Sequence, residues 1–175
     1  MLESKSQVNI FAFADDLKLL STNPGVLQDA LNKVIIWSKQ WQLRFQLQKS
    51  EQIYFTPSKY TAQQVHRFAI NGEQLNLVNT VRDLGIFLTS DLKWSAQVTN
   101  IYNKAIRLVY NVLRSFKSNH LNLYTLIFKT YIRPIIEYNS GIWSPYLITE
   151  IRKIESIQKT YTRLVCKKLN ISYNN

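Results

Sequence analysis

Asp15 and Asp16 are the residues whose types and spacing could do chemistry. Two carboxylates about 4 Å apart repel by roughly 4 kcal/mol at an effective dielectric near 20. Beside a buried strand, something must relieve that repulsion. A proton does so by raising one pKa. A divalent cation does it better, because Mg²⁺ prefers hard carboxylate oxygens. Phosphoryl transfer by two metals about 3.5–4 Å apart needs carboxylates held at a rigid strand end. The plain alternative is a turn, where Asp side chains satisfy local backbone N–H groups. Asp83, Asp91 and Glu51 show no pattern that nominates a third ligand.

The elements that must hold the pair can be read from periodicity. Residues 8–14 are apolar apart from Asn9, as in a strand buried on both faces. A second short run, 17–21, follows the carboxylates, so a tight hairpin is expected. Asn23-Pro24 opens a helix with Asn as N-cap, and Leu27, Leu31, Val34, Ser38 and Trp41 keep helical spacing. A strand is expected over 52–55, ended by Pro57-Ser58. Asn71-Gly72 marks a hairpin with a type I′ turn between runs at 68–70 and 74–78. Residues 81–88 form a further strand in which Gly85 permits close approach.

From Ser95 the period changes to that of helices, expected over 95–117, from an Asn119 cap through Tyr131, and over 149–169. Pro134 must kink or interrupt the second of these. Lys104, Arg107, Arg114 and Lys117 lie largely off the apolar stripe of the first. Arg152, Lys159, Arg163 and Lys167 do the same in the last, and Glu155 is four residues before Lys159, a pairing distance. The aromatics Trp94, Tyr124, Phe128, Tyr131 and Trp143 read as core packing before base stacking.

Charge is concentrated in the same half. The 175 residues carry a net +11. Residues 1–90 hold 9 Lys/Arg against 7 Asp/Glu, and residues 91–175 hold 13 against 4. Such a balance favours a polyanionic partner, either nucleic acid or an anionic membrane surface. Cys166 is the only cysteine, so disulfide frameworks and cysteine zinc clusters are excluded. His66 and His120 match no metal-ligand spacing. No apolar run reaches about 18 residues, and the segment Met1-Leu2-Glu3-Ser4-Lys5 is not that of a signal peptide. An intracellular setting, nucleus or cytoplasm, is expected.

Three motifs, in order, resemble one family. Phe13-Ala14-Asp15-Asp16 resembles the box of reverse transcriptases from non-LTR retrotransposons of the jockey-like group. Val81-Arg82-Asp83-Leu84-Gly85-Ile86, followed by Ser90-Asp91-Leu92-Lys93-Trp94, is similar to that family's primer-grip strand-turn-strand. Tyr131-Ile132-Arg133-Pro134-Ile135-Ile136-Glu137-Tyr138, with Ile142-Trp143-Ser144-Pro145-Tyr146, is similar to the thumb segment beyond it.

The resemblance implies an RNA-directed DNA polymerase that binds an RNA template and a DNA primer and takes dNTP. Asp15 and Asp16 would hold Mg²⁺. Lys49 would donate a proton to the leaving pyrophosphate, although Gln46 stands where the family's Asn-x-x-Lys pattern has Asn. Leu84 and Gly85 would press on the primer, and the cations of the two long helices would meet template–primer phosphates. The family's earlier palm strand with another aspartate, its nucleotide-positioning loop and its fingers are not in this sequence, so the chain is expected not to polymerise alone. The rival reading is a basic nucleic-acid-binding remnant without chemistry. A third reading, a basic helical protein on an anionic membrane, is weaker, because the long helices are expected to bury their apolar faces against one another. The expected fold is α+β: residues 1–90 as the end of a palm, with one covering helix and hairpin strands, and residues 91–175 as a helical thumb.

Overall fold

The computed structural model describes residues 7–56 and 66–173. The expected break at Pro57-Ser58 and the segment Met1-Leu2-Glu3-Ser4-Lys5 lie outside the described residues. The architecture is mixed α and β, with helices and small two-stranded sheets. The chain divides into two compact units, Met1–Val81 and Arg82–Asn175.

In the first unit, β1 (Asn9–Phe13) and β2 (Asp16–Leu20) form an antiparallel hairpin, with Asn9 opposite Leu20 and Phe13 opposite Asp16. Every residue of β1 is exposed, and Phe13 reaches 63%. The expectation of a strand buried on both faces is therefore corrected. Its apolar run reads like a central strand, yet β2 is its sole ladder partner among the described residues. An apolar strand with an open edge is a pairing hazard.

Helix α1 (Pro24–Gln40) begins as expected: Asn23 Oδ1 accepts from the N–H groups of Gly25 (2.9 Å) and Val26 (3.3 Å). It packs on β2 and on β4 (Ala69–Ile70), burying Ile35 and Ser38. Trp41, expected on the inward stripe, is exposed because the helix ends one residue before it. β3 is shorter than expected, Glu51–Ile53. Asn71 (φ +51°) and Gly72 (φ +86°) turn β4 into β5 (Glu73–Gln74), the sign pattern of a type I′ turn. The chain then leaves this hairpin, and β6 (Asn76–Val78) pairs in parallel with β3.

Strands this short leave backbone groups without ladder partners, and buried orphans are costly. Two glutamines take the place of a neighbouring strand. Gln52 accepts from Phe68 N–H and donates to His66 C=O, both at 2.8 Å. Gln28 does the same to the single residue Ala69, at 3.0 and 2.9 Å.

The boundary between the units falls inside β7 (Thr80–Asp83), which turns through Leu84 (φ +44°) and Gly85 (φ +86°) into β8 (Ile86–Thr89). The single strand expected over 81–88 is thus a hairpin. Two consecutive residues with positive φ reverse the chain there. Beyond it, Thr89 Oγ1 donates to Asp91 (2.7 Å), and the Lys93 N–H adds a second bond (3.2 Å). With these bonds, the Thr89 hydroxyl first among them, the Asp91 carboxyl is held down to about 2.

The second unit continues with α2 (Ser95–Ser115) and α3 (Leu121–Ile127). His120, not Asn119, takes the cap position of α3. The interruption expected at Pro134 is a π-helical turn, Phe128–Ile132, whose end sends the Arg133 N–H to the Phe128 carbonyl. Helix α4 (Arg133–Glu137) starts directly after it, with Pro134 in its first turn, where no N–H is missed. Helix α5 runs from Ile148 to Leu169.

Helices α2 and α5 lie in contact and run parallel. At their N-terminal ends the Ser95 hydroxyl donates to the buried Glu150 carboxylate. One turn on, Lys153 Nζ donates to Thr99 Oγ1 (3.0 Å). At the other end Lys168 Nζ donates to the carbonyls of Leu113 and Phe116, closing the C-terminus of α2 with a cation. Between these ends Ala105, Val109, Val112, Ile157, Tyr161 and Val165 are buried with Tyr124, Ile127 and Ile132. A second cluster joins Ile86, Val98, Ile101 and Trp143. Tyr124 and Trp143 thus pack as expected, whereas Tyr131 is exposed.

Tyr161 donates to the Tyr124 carbonyl at 2.7 Å, and burial, helped by the nearby Tyr124, pushes its hydroxyl up to about 12. The folded state therefore holds this proton more tightly than the unfolded chain does. The resulting stabilisation is complete below the ordinary value of 10 and is lost as pH rises from there through 12. Alkaline denaturant titrations are expected to lose roughly 2–3 kcal/mol over that window. Tyr161→Phe should flatten this limb.

Candidate nucleic-acid interface and carboxylate pair

The carboxylates sit at the tip of the β1–β2 hairpin. Phe13 and Asp16 close the ladder, so Ala14 and Asp15 are the two turn residues and Asp16 is the first residue of β2. The turn lies one residue earlier than the sequence suggests. Ala14 has φ +51°, a conformation that costs an L-residue about 1–2 kcal/mol. Glycine is usual at such a position.

Both carboxylates are exposed. Because β1 is exposed and not buried, the repulsion between them is screened by solvent. In water the same pair about 4 Å apart repels by about 1 kcal/mol. The hairpin therefore needs no cation to exist. The ligand type still fits Mg²⁺, which takes oxygen ligands and retains several waters. The number falls short of a closed site: among the described residues no group of three or more His, Cys, Asp or Glu side chains could hold a metal ion.

Lys49 ends a 3₁₀ turn, Leu47–Lys49, and its side chain is exposed. The turn is anchored by Gln46, whose carbonyl accepts from Lys49 N–H (3.0 Å) and Ser50 Oγ (3.1 Å). No hydrogen bond or ion pair links Lys49 to Asp15 or Asp16 among the described residues.

Leu84 and Gly85 form the tip of the β7–β8 hairpin, and the tip is not free. Tyr138 Oη donates to the Leu84 carbonyl at 3.1 Å. A Cβ added to Gly85 would lie 3.1 Å from the Tyr138 ring. Nothing in the sequence flagged Tyr138 in this role, because the contact spans 54 residues.

The eight cations singled out on the long helices are all exposed: Lys104, Arg107 and Arg114 on α2, Lys117 just beyond it, and Arg152, Lys159, Arg163 and Lys167 on α5. None of them forms an ion pair among the described residues, unlike Lys93 with Asp91 and Arg133 with Glu137. The pairing expected between Glu155 and Lys159 is absent; solvent around two exposed side chains leaves such an i,i+4 contact worth only about 0.3–0.5 kcal/mol.

On α5 the four cations fall at i, i+7, i+11 and i+15, within about 80° of arc and along about 22 Å of axis. Glu150, Ile157, Tyr161 and Val165 occupy the opposite, buried side. Lys153 and Lys168 are separated from this row and belong to the α2 contact, reaching the rings of Tyr102 and Tyr124 at 5.3 and 5.7 Å. No described helix is long and apolar enough to cross a membrane.

Comparisons with known proteins find distant, partial relatives. The chain is 26% identical over 142 residues to a probable RNA-directed DNA polymerase from transposon X-element of Drosophila melanogaster, covering 79% of this chain and 15% of that protein. It is 28% identical over 94 residues to an uncharacterized protein of Caenorhabditis elegans, covering 54% of this chain and 48% of the relative. The chain thus spans about half of one relative and a small part of the other. No family model and no solved structure matches. A distant, partial similarity to a transposon-encoded polymerase extends over most of the chain.

Replacing Ala14 by Gly removes about 1–2 kcal/mol of backbone strain and adds about 0.5–1 kcal/mol of unfolded-state entropy. A net gain of about 0.5–1 kcal/mol is expected in urea unfolding followed on the first unit. Ala14→Val should lower stability instead.

Proposed function

We propose that this chain is the palm-end and thumb portion of a retrotransposon-encoded RNA-directed DNA polymerase of the non-LTR, jockey-like kind. The observation that carries the reading is the Phe13-Ala14-Asp15-Asp16 box on a hairpin tip, in a chain with a transposon polymerase among its relatives. In the whole enzyme Mg²⁺ would polarise the reacting phosphate and neutralise developing charge. Asp15 and Asp16 would hold that ion with their carboxylates. Lys49 would supply a proton, or a neutralising charge, to the leaving pyrophosphate. The Leu84–Gly85 turn would bear on the primer backbone. The row on α5 and the cations of α2 would bind template–primer phosphates without reading sequence.

The two carboxylates without a third among the described residues favour a second reading for this stretch by itself, binding without chemistry. Both readings require the basic helices to bind nucleic acid.

Binding of an RNA–DNA primer–template to the chain, measured by fluorescence anisotropy, should weaken steeply as salt rises. Each of Arg152→Gln, Lys159→Gln and Arg163→Gln should lower the log–log salt slope by about 1, roughly equally for unrelated sequences. Undiminished slopes in the triple variant, or preference for anionic vesicles over the duplex, would defeat the proposal.

A further inference from the structure

Leu84 adopts a left-handed conformation (φ +44°) that L-residues rarely hold, so something must keep the β7–β8 tip in place. The contacts to Tyr138 supply that hold. The Tyr138 backbone is fixed by its surroundings, and its half-exposed ring reaches from there to the tip. Glu137, Tyr138, Asn139 and Ser140 form a type II turn: Tyr138 has φ −56° and ψ 120°, Asn139 has φ +54°, and the Ser140 N–H reaches the Glu137 carbonyl at 3.1 Å. The Tyr138 carbonyl accepts from Trp143 Nε1 at 2.8 Å. Trp143 is buried against Ile86, Val98 and Ile101, the core at the root of β8 and α2. A chain of contacts thus runs from the core through Trp143 and Tyr138 to the hairpin tip. Gly85 is required twice over, by its φ of +86° and because a Cβ would press on the Tyr138 ring.

We infer that Tyr138 is a positioning residue that clamps the Leu84–Gly85 tip and thereby sets how that tip meets the primer strand. The inference rests on the primer-contact reading proposed above. Leu84 is partly exposed, so its side chain is available to a ligand while its carbonyl is held. The hydroxyl of Tyr138 restrains the tip, and the cations on α2 and α5 carry affinity. Losing the hydroxyl should therefore disturb the primer end without much change in binding.

The test is Tyr138→Phe in the full chain, which keeps the ring. Two readouts apply. Amide hydrogen exchange at Gly85 and Ile86 is expected to quicken by about fivefold, the loss of one hydrogen bond, with the melting temperature little changed. With a primer–template carrying 2-aminopurine at the primer 3′ end, the fluorescence change that wild type produces on binding should be lost, while affinity shifts by less than about twofold. Unaltered exchange overturns the clamp. Quickened exchange with the wild-type fluorescence change retained overturns its link to the primer. If wild type binds the primer–template but leaves the 3′-end probe unaffected, the primer-contact reading fails, and the inference with it.

Discussion

Ile157, Tyr161 and Val165 of α5 are buried with Ala105, Val109 and Val112 of α2, and this apolar seam decides where the charge of the second unit goes. Burying an unpaired Lys or Arg head among these side chains would cost several kcal/mol. The cations of both helices are therefore expelled to the solvent side. Those at the margin of the seam, Lys153 and Lys168, find hydroxyls, carbonyls and ring faces. Those opposite it, such as the α5 row, are exposed and form no ion pair among the described residues. A row of unneutralised cations about 22 Å long is a by-product of packing that suits a polyanion.

The hairpin tips follow a different rule. Ala14 and Leu84 both sit at positive φ without being glycine, and each stands in one of the motifs that carry the family resemblance. At Leu84 the surroundings that hold the conformation are visible in Tyr138 and Trp143. At Ala14 the cross-strand ladder of β1 and β2 does that work. Strained turns of this sort persist where the structure around them fixes the geometry.

Much of the helical half was legible in the sequence, because a period near 3.6 survives as long as one face is buried. The cap at Asn23, the Asn71–Gly72 turn and the interruption near Pro134 were legible too, since each rests on the chemistry of one or two adjacent residues. What escaped reading was non-local. The apolar letters of β1 do not reveal whether anything covers it. The parallel pairing of β6 with β3 and the bonds of Gln28 and Gln52 to strand-edge backbone depend on segments far apart in the chain. Asp15 and Asp16 were legible as a pair, but their exposure was not. Tyr138 stands in the thumb-like motif, but its contact with the Leu84 tip left no local signal.

Mg²⁺ binding at the carboxylate tip and duplex binding along the α5 row are the two separate roles on which the proposed reading rests. Amide chemical shifts followed by NMR during addition of a primer–template with Mg²⁺ examine both most directly. Perturbations are expected at Ala14, Asp15 and Asp16, at Leu84 and Gly85, and along Arg152, Lys159, Arg163 and Lys167, with those at the carboxylates dependent on Mg²⁺. Shifts confined to α5, with the Asp15–Asp16 tip silent at saturating duplex and Mg²⁺, would contradict that reading.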